Sequence, residues 1–272
     1  MTLTLDHPAD TVPARAAVAA PDGGDIAWTI QGSGPPLVLV HGSFSDNRSE
    51  WAAVAPLLAR HFTLHAVARR GRAGSAPRGD LGLDTEGRDV AAVIRAVGVP
   101  AYVLGYSYGA QVALAAAREV PDRVRGLILF EPPRTDCIPD SRLAELTAFE
   151  QAGDADGLAD HFFRAQLQTP APTLDNLRES ALWADIVADA SATMGDLRAL
   201  RAYRFVPEGF AKLDLPVTLQ VATESAHHLY ATEEIMAALP HARRAVLEGE
   251  GHEAAVTAPE AYAEQVRRLC LD

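Results

Sequence analysis

A doubly wound, mostly parallel α/β sheet interrupted by a block of helices is the fold class that this sequence predicts. Three observations predict it. Leu37-Val38-Leu39-Val40 is a continuous apolar run, the pattern of a parallel strand buried on both faces. Strand-like and helix-length segments then alternate in the first and last parts of the chain, as βαβ units do. Between those parts, from about Arg134 to Lys212, no strand-like run occurs.

The chain opens on two extended segments, residues 15–20 and 25–31, joined by Pro21-Asp22-Gly23-Gly24, and this spacing predicts a hairpin. The loop 32–36 leads into the apolar strand 37–40. A helix over 50–60 precedes a strand at 63–68, and a helix over 85–97 precedes a strand over 101–104. A helix starting at Ala110 then precedes a strand at 124–130. The alternation stops at Glu131-Pro132-Pro133. Helix-like segments at 141–151, 157–168, 174–190 and 192–204 fill the middle. The alternation returns with a strand at 216–221, a helix over 231–239, a strand at 245–247 and a helix over 259–269. One sheet domain, residues 1–133 and 213–272, is therefore expected to carry an inserted helical cap, residues 134–212.

Composition narrows the function. The 272 residues are 48% hydrophobic and carry a net charge of −12, which argues against a nucleic-acid or anionic-membrane partner, since phosphate binding needs basic surface. Cys137 and Cys270 are far apart and form no CxxC pair, so neither a disulfide framework nor a zinc site is expected. Residues 1–20 contain no continuous apolar leader, and no apolar stretch is long enough to span a membrane. The expectation is a cytoplasmic protein, monomeric or homodimeric, with no metal and no cofactor.

The chemistry is concentrated at Gly105-Tyr106-Ser107-Tyr108-Gly109, between a strand and a helix. A strand-to-helix turn holds a serine hydroxyl clear of the backbone, and glycines on either side leave room where strand and helix run close. A serine nucleophile needs a base, a group that orients the base, and donors for the oxyanion. His252 is the expected base, because it sits in the turn Glu248-Gly249-Glu250-Gly251-His252 after a strand and before a helix, at the carboxyl edge of the sheet. The expected acid is Glu224, the first carboxylate after the strand 217–221, with Glu131 at the end of the strand 124–130 as the alternate. The expected oxyanion donors are the N–H groups of Tyr108 and of Ser43, with Phe44 as the alternate to Ser43. His41 is expected to hold its own loop in place. Phe44, Tyr106, Phe162, Phe163, Trp183 and Tyr203 are candidate substrate-binding residues.

Other motifs carry less. In Gly105–Ala110 a serine replaces the middle glycine of a dinucleotide fingerprint. Gly71-Arg72-Ala73-Gly74-Ser75 lacks the Lys-Ser/Thr end of a phosphate loop, and the adjacent His227-His228 point apart.

These pieces together resemble the α/β-hydrolase family over nearly the whole chain. They include the opening hairpin, Val40-His41-Gly42-Ser43, the serine turn, Pro121-Asp122-Arg123-Val124, Leu129-Phe130-Glu131-Pro132-Pro133 and Glu248-Gly249-Glu250-Gly251-His252. More narrowly the chain is similar to a set of actinobacterial hydrolases with an Arg-Arg-Gly-Arg loop, here Arg69-Arg70-Gly71-Arg72, with Ala68 where Asp is usual. Nucleophile, acid, base is that family's chain order, and Ser107, Glu224, His252 follow it, although the acid is Glu where Asp is commoner. The resemblance implies a cofactor-free serine hydrolase that cleaves an ester, thioester or lactone of a small apolar molecule. A serine nucleophile sets aside epoxide hydrolases and haloalkane dehalogenases, which need a carboxylate there. Two alternatives stay open: non-hydrolytic chemistry on the same triad (carbon–carbon cleavage, lysis or cyclisation), and ligand binding with little turnover.

Overall fold

Burial of both faces along the central apolar run fixes how the sheet sits. In the strand Pro36–Val40, Leu37 and Leu39 pack on one face while Val38 and Val40 pack on the other, because successive side chains of a strand point to opposite sides. The computed structural model describes residues 13–77, 79, 82–210, 213–239 and 241–272. Residues 1–12 of the leader-free reading and residues 211 and 212 at the end of the expected cap lie outside the described residues.

Eight strands form one sheet: β1 (Ala14–Ala19), β2 (Asp25–Gly32), β3 (Pro36–Val40), β4 (Thr63–Val67), β5 (Ala101–Tyr106), β6 (Val124–Phe130), β7 (Val217–Ala222) and β8 (Arg243–Leu247). Their spatial order is β1-β2-β4-β3-β5-β6-β7-β8. The opening hairpin is antiparallel and β2 runs antiparallel to β4, while every pairing from β4 to β8 is parallel.

The helices are α1 (Ala55–Leu58), α2 (Leu83–Val97), α3 (Tyr108–Glu119), α4 (Asp140–Ala152), α5 (Ala155–His161), α6 (Ala171–Glu179), α7 (Leu182–Ala202), α8 (Thr232–Ala238), α9 (Ala254–Thr257) and α10 (Pro259–Leu271). α2 and α3 cover the face that Val38 and Val40 share. Trp51, Leu58, Tyr262 and Val266 cover the other, so α1 and α10 lie there. Helices α4 to α7 all fall in the chain segment between β6 and β7, two strands that are neighbours in the sheet. A π-helical turn, Phe162–Gln166, follows α5 within that segment.

Two elements differ from expectation. The helix expected over 50–60 is only Ala55–Leu58. Pro56 lacks an N–H and its ring crowds the carbonyl four residues back, so it is accommodated in the first turn and disfavours a helix that starts several residues earlier. Residues 49–54 instead form turns. The break expected near Ser191 falls at Ser180, which adopts extended backbone, and α7 runs unbroken through Ser191.

The turns that matter gather at the carboxyl ends of the parallel strands. Residues 41–47 follow β3, Ser107 follows β5, Glu131 follows β6 and His252 follows β8, the edge where open α/β sheets place their ligands.

Candidate active site

Ser107 occupies the apex between β5 and α3 with φ +54° and ψ −125°, a conformation that L-residues other than glycine rarely hold. Its surroundings explain the glycines two positions away on either side. A Cβ on Gly105 would lie 2.5 Å from the Gly109 carbonyl oxygen, and one on Gly109 would lie 2.3 Å from the carbonyl oxygens of Val40 and His41. Strand and helix could not meet at this angle with side chains there. The Ser107 N–H donates to the Phe130 carbonyl at 2.9 Å, which pins the turn to β6.

His252 Nδ1 donates to Glu131 Oε2 at 2.6 Å. The acid partner of the histidine is therefore the alternate residue, and Glu224 does not reach it. The Glu224 side chain is exposed, contacting Thr223 Oγ1 at 3.5 Å, while its N–H donates to the Glu250 carbonyl. The physical reason lies in what β7 and the loop after it supply. Ala222 N–H donates to Glu131 Oε1 at 3.0 Å and Ser225 Oγ donates to Glu131 Oε2 at 2.9 Å. The end of β7 and the loop after it provide donors that hold the carboxylate arriving from β6, and Glu131 itself is fully buried with φ +43°.

The imidazole is held by packing as well. Its ring stacks with Tyr230 at 5.1 Å and with Phe130 at 5.7 Å between centroids. Tyr106 Oη donates to the His252 carbonyl. Burial alone would push the His252 pKa down. The hydrogen bond and charge of Glu131, aided by the charges of Glu253 and Glu50, outweigh it and hold the pKa above the ordinary value. If His252 acts as a base, activity falls as pH drops through that raised pKa. Replacing Glu253 by Gln removes one of the supporting charges, so the acid limb of kcat/KM is expected to move to lower pH. An unmoved limb, measured from pH 5 to 9, would show that the limb does not report His252.

The loop after β3 is tied down almost atom by atom. Gly42 N–H donates to Glu50 Oε2 at 2.9 Å, and Phe44 N–H donates to Thr193 Oγ1 at 2.7 Å. Arg69 donates to the carbonyls of His41 and Gly42 at 3.0 and 2.7 Å. Ser43 Oγ donates to Asp196 Oδ2 at 2.9 Å. Phe44 N–H is thus occupied, and among the described residues no hydrogen bond is found for the Ser43 N–H. Of the two alternatives in this loop, Ser43 is the one whose donor is available. His41 Nδ1 donates to the Gly42 carbonyl at 2.8 Å and Nε2 accepts from the Arg69 N–H at 3.2 Å. Burial, then the Arg69 and Arg72 charges, hold its pKa well below the ordinary value, and it braces the loop as a neutral ring.

The Arg-Arg-Gly-Arg loop acts from beneath. Arg69 bonds Glu86 at 2.6 Å and Asp196 at 2.7 Å, and Arg72 bonds Asp189 at 2.8 Å and Asp196 at 2.8 Å. Arg70 pairs with Asp89. All three arginines are buried. Buried charges persist only when paired and hydrogen-bonded, and removing one partner typically costs roughly 3–5 kcal/mol.

A cavity of about 110 Å³ joins these pieces. Ser107, His252, Ser43 and Tyr108 open onto it, and Phe44, Phe162, Phe163, Ile186, Leu197 and Leu200 form much of its apolar wall. Phe44 packs on Phe162 and Phe163, with centroids 4.8 and 5.5 Å apart. Tyr106 reaches its edge but lies mainly in the core, stacked on Phe130. Trp183 and Tyr203 are not among its lining residues. Trp183 packs against Phe163 and donates to Asp156 at 2.7 Å, as part of the inserted helices' own core. Burial of the half-buried Tyr203 hydroxyl, next to Asp84 and Arg118, raises its pKa. Both were expected to bind substrate, because aromatic residues on helices look alike in sequence whichever way they face. Sequence reasoning missed Glu50, Ser225, Tyr230 and Glu253. Glu253 follows the predicted histidine, lines the cavity and accepts from Thr169 Oγ1 at 2.7 Å. Among the described residues no group of three or more His, Cys, Asp or Glu is arranged to hold a metal, and no helix is long and apolar enough to cross a membrane.

A sheet of this topology, a serine at the β5–α3 turn and a carboxylate-bonded histidine after β8 define a class of protein, and comparison with known proteins agrees. Residues 37–265 match the model of the alpha/beta hydrolase family, and the chain belongs to that family. An alpha/beta hydrolase from Sphaerobacter thermophilus superposes with a TM-score of 0.79 at 29% identity, covering 93% of this chain and 99% of that one. Pyrrolizixenacetamide deacetylase of Xenorhabdus hominickii is 34% identical over 110 residues, 39% of this chain and 40% of that protein. Pimeloyl-[acyl-carrier protein] methyl ester esterase of Aeromonas salmonicida is 31% identical over 160 residues, 56% of this chain and 61% of that protein. The matches to curated relatives thus span about two fifths to three fifths of their length.

Proposed function

We propose that this protein is a serine hydrolase that cleaves an ester, thioester or lactone of a small, largely apolar molecule through an acyl-enzyme, with the inserted helices as the cap over the pocket. The observation that carries this reading is the 2.6 Å hydrogen bond from His252 Nδ1 to buried Glu131, beside an apolar cavity onto which Ser107 opens. With Nδ1 bonded to Glu131, Nε2 is the nitrogen left for the serine proton.

Ser107 Oγ attacks the carbonyl carbon as His252 takes its proton, and the carboxylate of Glu131 steadies the imidazolium. The oxyanion accepts hydrogen bonds from the N–H groups of Ser43 and Tyr108. Collapse breaks the bond to the leaving alkoxide or thiolate, which receives the proton from His252. Water, deprotonated by the same histidine, then attacks the acyl-serine, and collapse releases the acid as His252 returns the proton to Ser107 Oγ. Several relatives are named for acyl-bond hydrolysis: a deacetylase, methyl ester esterases and an N-formylmaleamate deformylase. Acyl transfer to water is the chemistry these names share.

The test is intact-mass analysis after treatment with a fluorophosphonate. One stoichiometric adduct that peptide mapping places on Ser107, absent in His252→Ala, is the expected result, together with turnover of short-chain p-nitrophenyl esters. An unlabelled wild-type protein that also fails to turn over the ester panel would overturn the reading in favour of ligand binding without catalysis.

A further inference from the structure

The inserted helix α7 sends one row of side chains into the core. Asp189, Thr193 and Asp196 are spaced i, i+4 and i+7, so they share one face of a helix with 3.6 residues per turn. Thr193 and Asp196 are fully buried. Besides a bond between Thr193 and Asp189, this polar row bonds Phe44, Arg69 and Arg72, which lie outside the inserted helices. It meets the two ends of the machinery already described, the loop after β3 and the arginine loop after β4.

Thr193 Oγ1 accepts the Phe44 N–H at 2.7 Å and donates its own hydrogen to Asp189 Oδ2 at 2.9 Å. Asp196 Oδ2 accepts from Ser43 Oγ at 2.9 Å, from Arg69 at 2.7 Å and from Arg72 at 2.8 Å. Arg69 in turn grips the Gly42 carbonyl at 2.7 Å. The peptide that carries the Ser43 N–H joins Gly42 to Ser43. Its carbonyl end is set by Arg69, and the residues on either side of it are set by Glu50 and by α7. Phe44, whose N–H is taken by Thr193, has φ +57°, an uncommon conformation for an aromatic residue that needs outside support.

We propose that Thr193 and Asp196 are positioning residues for the oxyanion loop, so that the inserted helix aims the Ser43 N–H. This rests on the serine-hydrolase reading above. Its consequence is that α7 is a fixed part of the catalytic frame. Lifting it would break the Phe44–Thr193 and Ser43–Asp196 bonds and strip two buried arginines of partners, so substrate must reach the pocket without α7 leaving its seat.

The test uses Thr193→Val, which keeps the shape and β-branching but removes the acceptor, and Thr193→Ser, which restores it. With p-nitrophenyl acetate, Thr193→Val is expected to lower kcat by about 10- to 100-fold with KM within about twofold. That is less than the 10²–10³ that deleting an oxyanion donor outright costs, because the donor is misaimed and not removed. Inhibition by a trifluoromethyl ketone, whose hemiketal oxyanion would sit in the same place, should weaken by the same factor. Thr193→Ser should recover most of both. Should Thr193→Val match the wild type in kcat and in ketone inhibition, with only its thermal midpoint lowered, α7 is a structural brace and the proposal fails while the hydrolase reading stands. A wild-type protein inert to the ester, the ketone and fluorophosphonate would overturn both.

Discussion

Glu131→Gln is expected to lower kcat by on the order of 10⁴-fold, the cost of presenting the wrong histidine tautomer to a serine, while Glu224→Gln stays within about twofold of wild type. The direction follows from who donates to Glu131. The Ala222 N–H points at Oε1, and a backbone donor cannot reverse its role. In the Glu131→Gln variant it would hold the amide oxygen on that side and turn the NH₂ toward His252 Nδ1. The Ser225 hydroxyl, which now donates to Oε2, can rotate and accept instead. An NH₂ facing Nδ1 forces that nitrogen to accept, which places the ring proton on Nε2, where it cannot take one from Ser107. Glu224 has no such contact. Steady-state kinetics on both variants decide the matter. A Glu224→Gln variant as crippled as Glu131→Gln would refute the assignment.

Ser107→Ala carries the largest expected effect, a loss of about 10⁶-fold in kcat of the kind seen when a nucleophilic serine is removed. Roughly 10³–10⁴-fold acceleration over water should survive, because the N–H donors and pocket remain to bind an oxyanion formed by water attack. The substituted alanine would also have to hold the φ of +54° that Ser107 adopts, without a hydroxyl, so the fold should be checked by thermal denaturation beside the kinetics. The measurement is hydrolysis at high enzyme concentration after fluorophosphonate treatment, which silences any wild-type contaminant. Activity above about one per cent of wild type that survives this treatment would mean that another group performs the attack.

Much of this was legible in the sequence, and the exceptions share a cause. The strands, the serine turn and the histidine loop follow from local patterns: an apolar run, a glycine on each side of a serine, a glycine-rich turn after a strand. Whether Glu131 or Glu224 meets His252 is not local. Both follow neighbouring parallel strands, and the choice depends on which carboxylate turns inward and which loop supplies the donors that hold it. The inserted helices were the hardest part. Their aromatic residues were visible, yet Phe163 faces the pocket and Trp183 faces its own neighbours. The arginine loop was visible as a motif without a purpose, since its partners Asp189 and Asp196 lie more than a hundred residues away. An acid, a threonine and an acid at i, i+4 and i+7 on a helix is a signal that sequence reading could have used, because polar residues in one row seldom face an apolar core without partners.

Among the described residues, five other than glycine have positive φ, and three of them are Phe44, Ser107 and Glu131. Backbone held in this way costs roughly 1–3 kcal/mol per residue, which is a large share of the net stability of a domain. Glycine at each of the three positions would relieve that strain and erase part of the machinery. A library of this protein selected for heat resistance alone would therefore drift away from the serine at this turn, and only selection for the proposed turnover would keep these residues in place.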